Sequence, residues 1–398
     1  MSAAGLQLHV RMRARDREEK HRASSPLELL FDLTFVVAIS SLAAQLAEKV
    51  LHGEAASNTG PYLMVFFAIW WAWMNFTWFA SAYDTDDVLY RIFTLVQMAG
   101  VLVLAASVPI AFSNQNFVGI VVGYVIMRIG LVAHWVRAAI EHPESRPIAL
   151  RYAGGVSLIQ VGWVLRLLLP PELGVVSFVV LALLDLSVPL WAERAENTSW
   201  HPGHIAERYG LFVIILLGES VAAATIAMQR ALASGLTGSL IVVGAAGLVL
   251  LFAIWWIYYL EPAERGLTER PGLSYFWGYG HWFLFAAIAA VGSGLEVSVD
   301  AAAHLPEIGA VAVGYALAIP TAVLFVLLYV LHRPLVDRAE VPAVVLLPAA
   351  ALELLAPLAA PQLGVAGTVV VISGIAAFVV AATVVLRGQR RAESVSGS

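Results

Sequence analysis

Glu28 and Asp32 stand four residues apart among Leu27, Leu29, Leu30, Phe31 and Leu33, so on a helix they share one face of an apolar run. Two carboxylates stacked one turn apart repel, which favours a shared proton, a bound cation or an arginine partner. Ser25-Pro26-Leu27-Glu28 reads as N-cap, N1, N2 and the capping-box acid at N3, so Glu28 also has a structural use. Asp32, roughly 9 Å beyond Pro26 along the helix, has none. Arg128, Glu219 and Asp185 are further charges deep in apolar runs, and a charge so placed persists only if paired or hydrated. Arg128 lies about 16 Å into its run. Glu219 matches it best in depth and is its expected partner, with Asp185 and Asp32 as second choices. Such a pair serves either as a buried bridge or as a gate, or as a site for a substrate anion and a proton. In His201-Pro202-Gly203-His204-Ile205-Ala206-Glu207-Arg208, the residues His201, His204 and Arg208 follow one helical stripe, with Glu207 three residues past His204. Histidine and carboxylate are metal-ligand types, although this spacing matches no zinc signature. Asp84, Asp86 and Asp87 cluster before a helix start, where capping and the helix dipole use one or two of them; a divalent cation, helped by His201, or Arg91 and the N-terminal arginines would take the rest. His281 sits among aromatic residues as a hydrogen-bonded structural histidine or a proton relay.

These residues must be positioned by elements of an unusually apolar chain. Of 398 residues, 60% are hydrophobic and 13% charged, about half the charge of a soluble surface, which excludes a soluble multi-domain enzyme. There is no cysteine, so disulfides, thiolate metal sites and a cysteine nucleophile are excluded as well. Apolar runs long enough to cross about 30 Å of hydrocarbon recur along the sequence. Twelve are expected: Pro26 to Val50, Tyr62 to Phe79, Ile92 to Phe112, Phe117 to Ala138, Ala149 to Leu169, Val175 to Trp191, Tyr209 to Ala227, Leu236 to Leu260, Phe276 to Glu296, Ile308 to Leu331, Val341 to Pro357 and Val365 to Leu386. With the N-terminus inside, 19 of the 23 Lys and Arg residues fall on the cytoplasmic side; only Lys49, Arg166 and Arg230 fall opposite, and Arg128 lies within a span. Both ends are therefore expected in the cytoplasm. The basic residues before Pro26 do not form a signal peptide and are expected to fix orientation and touch anionic headgroups.

The two halves match at a nearly constant offset. Ala68-Ile69-Trp70-Trp71 recurs as Ala253-Ile254-Trp255-Trp256, Gly123-Tyr124 as Gly314-Tyr315, and Pro171-Glu172-Leu173-Gly174-Val175 as Pro361-Gln362-Leu363-Gly364-Val365. The expected fold is thus all-α, a polytopic membrane protein of about twelve transmembrane helices in two parallel six-helix repeats. Its expected parts are a basic segment at 1–25, repeats at 26–200 and 201–387, and a tail at 388–398.

Leu27-Glu28-Leu29-Leu30-Phe31-Asp32-Leu33-Thr34-Phe35-Val36, the Trp-rich second span ending in Tyr83-Asp84-Thr85-Asp86-Asp87, Gly123-Tyr124 with Arg128, and Glu207-Arg208-Tyr209-Gly210-Leu211-Phe212 running on to Gly218-Glu219 resemble the bacterial low temperature requirement protein A family. The resemblance covers nearly the whole chain and implies a polytopic inner-membrane protein; it carries over no biochemical activity. Aligning Glu28 with Glu207 puts Leu211 opposite Asp32, so a site built on Asp32 has no twin in the second half. A weaker likeness, in Phe31-Asp32 and the two repeats, is to the two-repeat endolysosomal potassium channels, which carry Phe-Ser-Asp there.

Three functions compete at this point. The first is a proton-coupled secondary transporter of a small solute, built on Asp32, Arg128 and Glu219, with Glu28 and Asp185 beside them. The second is a cation channel with Asp32 lining its pore. The third is a metal-dependent membrane-embedded enzyme using Asp84, Asp86, Asp87 and a histidine, and an enzyme is the less favoured class. The implied partners are the lipid bilayer and a small-molecule or ion substrate. No nucleic-acid motif, catalytic triad or phosphate-binding glycine loop is present, and the sequence implies no organic cofactor.

Overall fold

The computed structural model describes residues 8–16, 19, 23–83, 85–114, 116–194, 197–233, 235–303, 308–337 and 339–396, with the side chains of 113, 114 and 390–396 left aside. Its elements are helical throughout: α1 (Pro26–Leu51), α2 (Ala55–Ala82), α3 (Val88–Asn114), α4 (Val118–Glu141), α5 (Arg146–Arg166), α6 (Gly174–Ala192), α7 (Pro202–Leu232), α8 (Gly238–Tyr259), the short α9 (Ala263–Glu269), α10 (Ser274–Ala303), α11 (Ala310–His332), α12 (Ala343–Leu355) and α13 (Ala360–Ser396). Among the described residues, eleven helical stretches are long and apolar enough to cross a membrane. The count differs from the expected twelve because α12 and α13 follow one another without a polar loop, as a single 47-residue stretch over Ala343–Gln389. That stretch is not one straight helix. A 3₁₀ turn occupies Ala356–Ala359, and Gly364 has φ 69°, a left-handed conformation that glycine adopts without a Cβ penalty.

Local chemistry sets the helix starts. At α1 the Ser25 N–H donates to Glu28 Oε2 at 2.7 Å while the Glu28 N–H donates to Ser25 Oγ at 3.3 Å, the reciprocal capping box expected from the sequence. At α7 the imidazole of His201 caps instead, its Nδ1 accepting from the His204 N–H at 3.1 Å, with Pro202 in the first helical position. Thr237 caps α8 by accepting from the Leu240 N–H.

The chain divides into two compact units whose borders cut α1, α2 and α7 within the helices. One unit comprises Met1–Ser41 and Phe67–Arg208. Within it α3 packs on α4, α4 on α5 and α5 on α6. Lipid tails are as apolar as leucine, so packing and interhelical hydrogen bonds must hold such helices together. The α3–α4 contact shows how: a Cβ on Gly123 would lie 2.7 Å from the Gly100 carbonyl oxygen, and one on Gly100 would lie 2.6 Å from that of Gly123. Only glycine lets the two backbones approach so closely. Trp70, Trp71, Trp73, Phe76, Phe79 and Tyr83 of α2 and its end fill the interior of this unit.

The other unit comprises Leu42–Phe66 and Tyr209–Ser398. Here α10 packs on α11, α8 on α13, and α11 on both α12 and α13. Gly294 lies where a Cβ would stand 2.5 Å from the Ala316 carbonyl oxygen, so α10 and α11 also meet backbone to backbone. The Tyr62 hydroxyl donates to the Ala286 carbonyl at 2.7 Å and that of Ser293 to the Ala43 carbonyl at 2.9 Å, which ties α1 and α2 to α10 inside the unit. In both units the outward positions are large aliphatics such as Leu158, Leu183, Val175 and Phe378, the surface a bilayer covers.

Candidate functional site

The first two turns of α7 lay Arg208 against the first two turns of α1, within one unit. Arg208 Nη1 is 3.0 Å from Glu28 Oε1, and Nη2 is 2.5 Å from Asp32 Oδ1 and 3.2 Å from Thr77 Oγ1. One guanidinium thus straddles both carboxylates, where its planar fork reaches two targets that a lysine could not hold together. His204, one turn before Arg208, brings its Nε2 to 3.0 Å from Glu28 Oε1. From α2 the Trp73 indole N–H donates to Asp32 Oδ1 at 2.7 Å, and Thr77 stands one turn farther on the same face. Glu28, Asp32, Thr77, His204 and Arg208 are all buried.

Two carboxylates here share one permanently charged guanidinium, with an imidazole beside Glu28. Glu28, Asp32, His204 and Arg208 were all foreseeable as candidates, and the structure joins them. Trp73 and Thr77 were not, because a tryptophan and a threonine in a Trp-rich span carry no charge to mark them; their four-residue spacing was the only available signal.

Arg128 is placed differently from expectation. Its partner is Asp185, with Nη2 3.1 Å from Oδ1, and not the depth-matched Glu219. The Trp163 indole N–H takes the second oxygen, Asp185 Oδ2, at 2.8 Å, and the Arg128 guanidinium lies 5.3 Å from the centre of the Tyr124 ring. Both charges are buried and match one to one, the composition of a structural bridge between α4 and α6. Position along a helix gives depth but not direction, which is why the second-choice partner is the real one. Glu219 itself is only partly buried on α7.

The acidic residues after α2 also find arginines. Asp86 holds Arg91 at 2.7 Å, and Asp87 holds Arg137 at 2.5 Å; Asp84 lies outside the described residues. Among the described residues no group of three or more His, Asp and Glu is arranged to hold a metal ion. His201, the fourth metal candidate, uses Nδ1 as the helix cap, which fixes the proton on Nε2, and that N–H donates to the Glu19 carbonyl at 3.0 Å. Glu207 Oε1 accepts from the Ser24 N–H at 3.3 Å. His281 is buried, with Nδ1 2.7 Å from the Trp277 carbonyl and Nε2 3.3 Å from the Tyr258 hydroxyl. A carbonyl only accepts, so the proton is on Nδ1 and both ring nitrogens are engaged.

The N-terminal segment is a protein contact as well as a string of positive charge. The Val10 N–H donates to Asp87 Oδ2 at 2.8 Å, the Val10 carbonyl accepts from Arg137 at 2.7 Å, the Met12 N–H donates to Glu141 at 2.6 Å, and the Arg15 N–H donates to the Ala82 carbonyl at 3.0 Å. Met12 is fully buried. Burial by itself raises the Asp87 carboxyl, but hydrogen bonds from Arg137, Tyr90 and Val10 outweigh it and hold the group at about 2, against 3.8 ordinarily.

The family model described as "Bacterial low temperature requirement A protein (LtrA)" matches residues 23–385. A protein of Rhizobium meliloti (strain 1021), carried under the name "Uncharacterized protein RA0937", is 27% identical over 323 residues, covering 76% of this chain and 75% of its own. No solved structure matches.

Proposed function

The chain belongs to the bacterial low temperature requirement A family, and on that premise we propose that it is a proton-coupled secondary transporter of a small solute in the inner membrane. The observation that carries this reading is the buried contact of His204 with Glu28 beside the Arg208–Asp32 pair: an imidazole against a carboxylate is a place where a proton can bind and leave inside the protein. Asp32 is locked by Arg208 and Trp73, so the proton comes and goes on His204 and Glu28, whose atoms lie 3.0 Å apart. Protonation makes two positive groups for two carboxylates and tightens α7 on α1. Its loss leaves the pair of acids sharing one arginine and loosens that contact, the kind of two-state change that alternating access requires.

The proposed topology is twelve crossings in two parallel six-helix repeats, with both ends cytoplasmic. The break over Ala356–Gly364 supports the twelfth, because 47 helical residues would measure about 70 Å, more than twice the hydrocarbon thickness. The packing order supports the repeats: α3–α4, α4–α5 and α5–α6 in one half correspond to α10–α11, α11–α12 and α12–α13 in the other. Short 3₁₀ turns stand before α5 and α6 and recur before α12 and α13.

The test is flux in proteoliposomes holding a pH-sensitive dye, with a potassium ionophore clamping the voltage and a panel of amino acids, sugars and inorganic ions as solutes. Addition of a transported solute is expected to shift the internal pH, and the shift is expected to disappear in Glu28→Gln and His204→Gln. Ionic currents that persist without any solute gradient, and change selectivity in Asp32→Asn, would replace this reading with the channel.

A further inference from the structure

The second unit contains an ionisable group that the site above does not use. Glu353 of α12 is completely buried, and among the described residues neither of its carboxylate oxygens has a hydrogen-bond partner. It lies about 15 Å from the start of α12, near mid-membrane depth, and just before the Ala356–Ala359 turn that interrupts the helical run. An isolated carboxylate in such surroundings is strongly penalised, and the group escapes this by holding a proton.

The same face of α12 also leads to a cleft at the start of the helix. The buried residues of α12 are Leu346, Ala349, Ala350 and Glu353, a single stripe at i, i+3, i+4 and i+7. Leu346 lines a small cleft together with Ile257, Glu261, Leu328, His332 and Val341. Only two alanines separate the cleft from Glu353, which is about 10 Å deeper along the helix. The cleft end is polar: Glu261 accepts from the backbone N–H groups of Glu340 and Val341 at 2.7 and 3.4 Å, and His332 hydrogen-bonds the Leu328 carbonyl at 3.0 Å. The described titratable side chains on the elements packed against α12 are Tyr315, Tyr329 and His332 of α11 and Arg387 of α13. Arg387 is paired with Glu340 at 2.8 Å. Glu353 is the one ionisable residue of α12.

We infer that Glu353 is a second proton-binding site, filled from the cleft between α8, α11 and α12 along the alanine face of α12. It does not rest on the transport reading, since its occupancy is measured without any solute.

The test is infrared spectroscopy of the full-length protein in liposomes, comparing acidic with alkaline buffer and H₂O with D₂O. The carbonyl stretch of a protonated carboxylic acid is expected in the wild type, diminishing at alkaline pH and shifting in D₂O. It should be missing in Glu353→Gln yet present in Glu28→Gln, which separates it from the α1 site. Ala350→Leu, which adds bulk on the stripe between the cleft and the carboxyl, should slow deuteration several-fold. Identical spectra for the wild type and Glu353→Gln would overturn the inference, and so would a Glu353 band that neither titrates nor exchanges. Should Glu353→Gln fail to fold, Glu353→Asp is expected to move the band, and an unmoved band would be equally fatal.

Discussion

At the residue scale Arg128 and Arg208, both buried, differ in stoichiometry, and this sets opposite expectations for their variants. Arg208 serves two carboxylates, so Arg208→Gln takes the guanidinium from both, whereas Asp32→Asn leaves Glu28 paired with it. Breaking a buried pair from one side costs about 3–5 kcal/mol. Arg208→Gln is expected to lose that much in equilibrium unfolding in mixed micelles, and Asp32→Asn roughly 1 kcal/mol or less, because asparagine Oδ1 still accepts from Trp73. Arg128 and Asp185 form a closed pair. Either single apolar substitution there should cost about 3–5 kcal/mol, but Arg128→Met with Asp185→Leu should recover most of it, since an apolar replacement of a whole buried bridge is often neutral. Solute-driven pH shifts in proteoliposomes should survive in that double variant. Their loss would return Arg128 to the list of functional residues.

At the element scale, the segment at residues 8–16 is held on the ends of α2 and α4 by Asp87, Arg137 and Glu141. A carboxyl whose folded value lies below its unfolded one stabilises the fold at every pH above the unfolded value, and this stabilisation is lost as pH falls through the folded value. For Asp87 that window runs from 3.8 down to about 2, so the segment should remain docked throughout the neutral and mildly acidic range. Hydrogen exchange at the Val10 amide is expected to be slow in the wild type at neutral pH and fast in Asp87→Ala. Equal rates would show that the segment is held by something other than this carboxylate. The spacing of charge before Pro26 indicated side but not contact. Arg11 and Arg15 looked like headgroup ligands, yet Arg11 donates to the Glu141 carbonyl and Arg15 pairs with Glu19. By contrast, the α1 start was fully legible, since a capping box is written within four consecutive residues. What sequence conveys well is whatever one helix decides alone; the choice between Asp185 and Glu219 required the rotation of three helices about their axes, which no single span encodes.

At the scale of the whole molecule, the crossing number was legible only up to its last step. Polar loops separate the earlier spans, but from Ala343 onward the chain has no charged residue other than Glu353 until Arg387, so hydropathy cannot mark a reversal there. The structure has a 3₁₀ turn over Ala356–Ala359 and a left-handed Gly364 within that stretch. Twelve crossings put the C-terminal residues on the same side as the N-terminus, and eleven put them opposite. A chain without cysteine allows the two to be distinguished by labelling single introduced thiols in intact cells with a membrane-impermeant maleimide. Leu8→Cys and Ser394→Cys are both expected to stay unlabelled until the cells are opened, while Glu54→Cys and Glu172→Cys are labelled at once. If Ser394→Cys reacts in intact cells and Leu8→Cys does not, Ala343–Gln389 crosses once. The two-repeat arrangement would then lose its twelfth helix, and with it the correspondence of α12 and α13 to α5 and α6.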